Sequence, residues 1–144
     1  MLNVTEELAA VYESMNRPTL WLIRGLPGSG KSTMAKKIIG EHPNTSHYEA
    51  DMFFVNANGE YKFDPAKIKN AHNWCQQKTK QDLQSGKNVV VSNTFTQLWE
   101  MDWYKKMAEE IGANIEVLVA KGNYKNIHGV PEESLAKMKQ RWQD

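Results

Sequence analysis

The stretch Thr19-Leu20-Trp21-Leu22-Ile23-Arg24-Gly25-Leu26-Pro27-Gly28-Ser29-Gly30-Lys31-Ser32-Thr33 decides the fold. Thr19 to Ile23 is apolar or β-branched almost without a break, the pattern of a strand buried on both faces and therefore central in its sheet. Gly25 to Thr33 fits G-x-x-x-x-G-K-[ST], and a helix is predicted over about 31–40, with Met34, Ala35 and Ile38 inward and Gly40 at its end. A strand, a glycine-rich turn and a helix in that order cradle phosphate. Successive backbone N–H groups wrap the β-phosphate, and the helix N-terminus adds the positive end of its dipole. In this reading Gly25, Leu26, Pro27, Gly28, Ser29, Gly30, Lys31, Ser32 and Thr33 hold a nucleotide. Lys31 brings a cation to the β and γ oxygens, and the Ser32 hydroxyl ligates magnesium. ATP and Mg2+ are the expected cofactors. A Rossmann turn is excluded, because Gly28 to Thr33 lacks the third glycine of G-x-G-x-x-G.

Outward from that stretch, strands and helices alternate. Val4, Leu8, Val11, Tyr12 and Met15 recur at helical spacing until Arg17-Pro18 stops them. A short strand is expected near 46–50, followed by an aromatic loop, Asp51-Met52-Phe53-Phe54, and the turn-rich Asn56-Ala57-Asn58-Gly59. From Pro65, Ile68, Ala71, Cys75, Thr79 and Leu83 mark a long helix that lasts until Gly86. Val89 to Thr94 reads as a second buried strand, 97–111 as a helix closed by Gly112, and Ile115 to Ala120 as a third clear strand. A polar segment over 121–129 precedes a terminal helix from Pro131 through Leu135 and Met138 to Trp142. The expected fold is α/β: a three-layer P-loop NTPase fold with a central parallel sheet of about four to five strands. One domain is expected over 19–144, with an N-terminal helix in 1–18 packed on it.

Composition narrows the function. The chain has 144 residues, 40% of them hydrophobic and 24% charged, which excludes a disordered or collagen-like chain. A formal net charge of +1 predicts no nucleic-acid binding from bulk charge, so any such contact has to be local. The one cysteine, Cys75, excludes a disulfide framework and a CxxC metal site and reads as a small buried residue. The apolar runs are far shorter than the roughly 18 residues of a membrane span. The start, Met1-Leu2-Asn3-Val4, has no signal-peptide pattern, and a cytoplasmic protein is expected.

Five segments together resemble the small P-loop kinases grouped around the kinase domain of phage polynucleotide 5′-kinase, with short phage and eukaryotic ATP-binding proteins. They are Gly25 to Thr33, Ala50-Asp51-Met52-Phe53-Phe54, Ala71-His72-Asn73-Trp74-Cys75, Val91-Ser92-Asn93-Thr94-Phe95-Thr96 and His128-Gly129-Val130-Pro131. The resemblance spans roughly 19–143. It implies an ATP-dependent phosphotransferase acting on a hydroxyl of a nucleic acid, nucleotide or nucleoside, placed in the host cytoplasm if phage-encoded. The alternatives are a kinase of another small molecule and an ATP-binding or hydrolysing module. In that family an aspartate after the second strand is the general base on the acceptor hydroxyl, and Asp51 matches it. A carboxylate there can take the acceptor's proton and orient its oxygen for in-line attack.

The sequence departs from that pattern at several places. Asn93 stands where many P-loop enzymes carry a Walker B aspartate, so magnesium is expected to lean on Ser32, phosphate oxygens and water. Asn93 and Thr94 either hydrogen-bond the γ-phosphate, the nucleophile or Asp51, or form a structural turn at the strand end. The family's lid arginine is absent from 121–129, where Lys121 is assigned to nucleotide binding, Lys125 to catalysis and His128 to substrate, or all are solvated. Phe54 replaces the family's acceptor-phosphate arginine and offers an aromatic face to a base or other ring. His72 either contacts substrate or packs, Trp99, Trp103 and Tyr104 read as packing residues, and the lysines at 67, 69, 78 and 80 as a solvated face or local phosphate track.

Overall fold

The computed structural model describes residues 3–122 and 129–144. Strands β1 (Thr19–Arg24), β2 (Thr45–Tyr48), β3 (Asn88–Asn93) and β4 (Asn114–Val119) form one parallel sheet in the order β2-β3-β1-β4. The apolar run beginning at Thr19 therefore occupies the interior of the sheet, as its continuous hydrophobicity predicts. Leu20 pairs with Val89 on one side and Ile115 on the other, and Arg24 closes the register opposite Asn93 and Val119.

Helix α1 covers Val4–Asn16, α2 Lys31–Glu41, α3 Ile68–Gln84, α4 Asp102–Ile111 and α5 Glu132–Arg141. Alternation along the strands sends Leu20, Leu22, Val89 and Val91 to one face, where they pack with Cys75 and Leu83 of α3 and with Tyr104, Met107 and Ala108 of α4. Trp21, Ile23 and Val90 point the other way, against Ala35, Met34 and Ile38 of α2. Cys75 is fully buried, as expected, and burial pushes its thiol pKa up, which keeps it a packing residue.

Several boundaries differ from the sequence reading. Asp51 to Phe54 is a 3₁₀ turn spanning Ala50–Phe54 rather than an open loop. Pro65–Lys67 is a separate 3₁₀ turn before α3, started by the Asp64 carboxylate accepting from the Ala66 N–H at 3.0 Å. Gly40 lies inside the last turn of α2, which ends one residue later. Trp99 is exposed, its indole N–H donating to Gln97 Oε1, whereas Tyr104 is core. The apolar stripe of α1 faces solvent instead of packing on the domain: Val4, Leu8, Val11 and Tyr12 are 54–71% exposed, and the side chain of Met15 lies outside the description. Helices α2, α3 and α4 cover both faces of the sheet over β1 and β3, whereas Ile115, Val117 and Val119 of the edge strand β4 are 37–40% exposed. Among the described residues no helix is long and apolar enough to cross a membrane.

Candidate functional site

Residues 25–30 turn from β1 into α2 at the C-terminal edge of the sheet, where open parallel sheets bind ligands. The turn is hooked to the end of β3 by the Gly25 N–H donating to the Thr94 carbonyl at 3.2 Å. A Cβ at Gly25 would stand 2.3 Å from Ser29 Oγ and 3.0 Å from the Ala120 carbonyl, so the close backbone approach requires glycine. Gly30 caps α2 at φ 95°, a conformation glycine adopts without strain, and contributes no side-chain cap. The first-turn N–H groups of α2 therefore lack a capping side chain, which is the electrostatic requirement for an anion there. Lys31 Nζ donates to the carbonyls of Gly25 at 2.9 Å and Leu26 at 3.1 Å, curling its ammonium over the turn. Burial lowers the Lys31 pKa, and the nearby carboxylates of Glu49 and Asp51 oppose that shift.

A second group of residues arrives from the end of β2. Alternation places His47 and Glu49 on one side of the chain, and Glu49 Oε1 accepts the Ser32 hydroxyl at 3.0 Å. His47 Nε2 lies 3.4 Å from the same oxygen and 2.9 Å from Ser92 Oγ of β3. Burial lowers the His47 pKa, Glu49 pulls it upward and Lys36 pushes it down. One step further, the Ala50 N–H donates to Asn93 Oδ1 at 2.9 Å and fixes the start of the 3₁₀ turn. Asp51, half-buried on that turn, accepts from the Tyr61 hydroxyl at 3.2 Å. Tyr61 is delivered by a tight reversal of the chain, with Val55 and Tyr61 bridged antiparallel and the Lys62 N–H donating to the Phe54 carbonyl at 2.8 Å.

The predicted site residues fall into groups. Gly25 to Thr33, Asn93, Thr94 and Asp51 converge on this edge. Asn93 is a buried structural clamp for the Asp51 turn, and the carbonyl of Thr94 holds the Gly25 turn. Phe54 does not offer a free aromatic face. It is 7% exposed, packed edge-on against Phe53, Tyr61 and Phe63, because the sequence around it folds its own aromatic residues over it. Two rings of this cluster face solvent, Tyr61 at 47% and Phe63 at 51% exposed, and Phe63 lies beside an open cavity of about 510 Å³ lined also by Lys62, Asp64 and Lys67. His72 is exposed on α3. Lys121 lines a second cavity of about 290 Å³ with Leu26, Ser29, Gly122 and Trp142. Lys125 and His128 lie outside the described residues.

Three residues were not legible in the sequence. Glu49 belongs to no motif, and only its period-two spacing from His47 points toward the sheet edge. Arg24 is buried, its Nε donating to the Phe95 carbonyl at 3.0 Å and Nη2 to those of Thr96 and Gln143. Burial lowers its pKa, which Asp144 and Glu100 oppose. Trp142 stacks on it, 4.2 Å from guanidinium carbon to ring centroid, so the C-terminal residues become a wall of the cavity beside the P-loop.

A family model described as an AAA domain matches residues 20–143. Human NEDD4-binding protein 2 is 31% identical over 136 residues, covering 86% of this chain and 8% of that protein. A chain in the structure of a Pnkp1/Rnl/Hen1 complex superimposes with a TM-score of 0.63 at 24% identity, covering 85% of this chain and 39% of that one. The APS kinase CysC of Mycobacterium tuberculosis, in complex with AMPPNP and APS, gives 0.56 at 16% identity over 84% and 68% of the two chains. The chain thus spans a small part of the human relative and well under half of the complex's chain. At these identities the two structures establish the fold alone, an α/β P-loop NTPase fold with a central parallel sheet.

Proposed function

The chain belongs to the AAA-domain family, and from that membership we propose that it is an ATP-dependent phosphotransferase acting on a hydroxyl of a nucleic acid, nucleotide or nucleoside. The observation that carries the reading is the meeting of two halves at one sheet edge. The P-loop of β1–α2 touches the β2 end through Ser32 and Glu49, and Asp51 follows directly on the turn clamped by Asn93. A bare nucleotide-binding module has no need of a second carboxylate held toward the site by a tyrosine.

The uncapped N-terminus of α2 and the Lys31 ammonium bind and neutralise the β and γ phosphate oxygens. The cavity bounded by Leu26, Lys121 and Trp142 takes the nucleoside part of ATP. Asp51 accepts the proton of the acceptor hydroxyl while Tyr61 holds its carboxylate in place. The hydroxyl oxygen forms the new bond to the γ-phosphorus, the bond to the β–γ bridging oxygen breaks, and ADP leaves. The hydroxyl and carboxylate oxygens beside the phosphate cradle are hard donors of the kind magnesium takes. Magnesium, when bound through Ser32 and phosphate oxygens, supplies further charge neutralisation.

The test is to incubate the protein with Mg-ATP labelled at the γ-phosphate and a panel of 5′-hydroxyl oligonucleotides, modified-base DNA, nucleosides and small-molecule alcohols. Label in a nucleic-acid or nucleoside acceptor supports the proposal. Label only in another alcohol makes the chain a small-molecule kinase, and label only in free phosphate makes it a hydrolysing module; either result overturns the acceptor assignment.

A further inference from the structure

P-loop enzymes hold the nucleotide's cation with the P-loop hydroxyl and a carboxylate from a neighbouring strand end. Here the end of β3 offers the amide of Asn93, and that amide is already engaged: Oδ1 accepts the Ala50 N–H at 2.9 Å and Nδ2 approaches Cys75 Sγ at 3.9 Å. An amide in that environment brings no charge to a dication. The neighbouring strand end does. Glu49 immediately precedes the residue Asn93 clamps, its Oε1 lies 3.0 Å from Ser32 Oγ, and its side chain is only 15% exposed. His47 Nε2 lies 3.4 Å from the same oxygen.

We propose that Glu49 is the carboxylate that holds the divalent cation of the bound nucleotide, together with Ser32, so that the charge usually placed at the end of β3 has moved to the end of β2. The inference rests on the phosphotransferase reading and deepens it. The donor pair suits magnesium chemically. Both atoms are hard oxygens, and magnesium is typically bound by one or two carboxylates together with substrate phosphates while keeping several waters. Asn93 then has a mechanical duty, holding the backbone at Ala50 so that Glu49 and Asp51, on either side of it, face the cradle from fixed positions. The two carboxylates divide the work: Glu49 serves the cation and Asp51 the acceptor hydroxyl.

The probe is Mn2+ with ADP, which removes phosphoryl transfer from the readout. Free Mn2+ is followed by its electron paramagnetic resonance signal in the native protein, Glu49→Gln and Asp51→Asn, and ADP affinity is measured separately in EDTA. Gln keeps the size of the side chain and can still accept from Ser32, so the fold and the metal-free ADP affinity should be preserved. The expected result is that Glu49→Gln weakens Mn2+ binding in the ADP complex by about 10-fold or more, in the range seen when metal-site partners are removed. Asp51→Asn should leave it near the native value. Native Mn2+ affinity in Glu49→Gln overturns the proposal, as does an equal loss in both variants, which would mean diffuse negative charge and not a ligand. Failure of the native protein to bind ADP in EDTA or with Mn2+ would instead sink the phosphotransferase reading, and the cation role of Glu49 with it.

Discussion

The two halves of the site are made differently. On the nucleotide side, the turn after β1 is shaped by backbone: the Gly25 N–H on the Thr94 carbonyl, the Gly122 N–H on the Ser29 carbonyl, and a Lys31 ammonium held by main-chain oxygens. On the proposed acceptor side, between β2 and α3, side chains define the geometry: Asn93 clamps Ala50, Tyr61 holds Asp51, and Phe53, Phe54, Tyr61 and Phe63 pack on one another. A surface made of backbone recognises what every nucleoside triphosphate shares. One made of side chains can change its partner by substitution, and it is on this side that Phe54 is packed under Tyr61 and Phe63.

If the halves are functionally distinct, their variants separate. The largest effect is expected from Asp51→Asn, which keeps the shape of the side chain and removes its charge; label transfer from γ-labelled ATP should fall by about 10² to 10⁴. Lys31→Ala and Ser32→Ala remove electrostatic stabilisation of the transferring group and should cost on the order of 10² or more in turnover. Circular dichroism should show both variants folded. Unchanged turnover in either would break the division from the nucleotide side.

Tyr61→Phe deletes one exposed hydrogen bond to Asp51 and should slow transfer about 2- to 10-fold, with ATP affinity unaltered. A rise in the KM for ATP with turnover unchanged would move Tyr61 to the other half. The smallest effect concerns the joint between them. The Tyr48 hydroxyl donates to Asp82 Oδ2 at 2.5 Å, tying β2 to α3. Burial, with the bond to Asp82, raises its pKa from 10.0 to about 12, so the fold favours the protonated phenol. That contribution to stability is complete below about pH 10 and is lost as pH rises through about 12. Denaturant midpoints should therefore fall more steeply across that window in the native protein than in Tyr48→Phe. Equal slopes would mean that Tyr48 contributes nothing to holding β2.

The same contrast explains what the sequence discloses. The P-loop, β1, β3 and the Cys75 face of α3 are legible because each is a local pattern: a fixed spacing, a continuous apolar run or a helical period. Glu49, the burial of Phe54 and the Arg24–Trp142 stack are not, because each depends on residues far apart in the chain meeting at the sheet edge. Phe54 looks available for stacking until Tyr61 and Phe63 fold over it. The stripe on α1 has the period of a packing helix, yet period alone does not say whether that face is buried, and Val4, Leu8, Val11 and Tyr12 are exposed. Arg24 reads as the polar end of a strand, and its carbonyl partners at 95, 96 and 143 appear only in three dimensions.

The most direct test of the division is ATP affinity, measured by calorimetry on the native protein, Lys31→Ala and Asp51→Asn under the same Mg2+ conditions. The account predicts that Asp51→Asn binds ATP within about twofold of the native protein, a difference well under 1 kcal/mol, while Lys31→Ala binds at least about tenfold more weakly. Loss of ATP binding in Asp51→Asn would contradict it, because Asp51 would then belong to the nucleotide's half of the site and could not be the base that serves the acceptor.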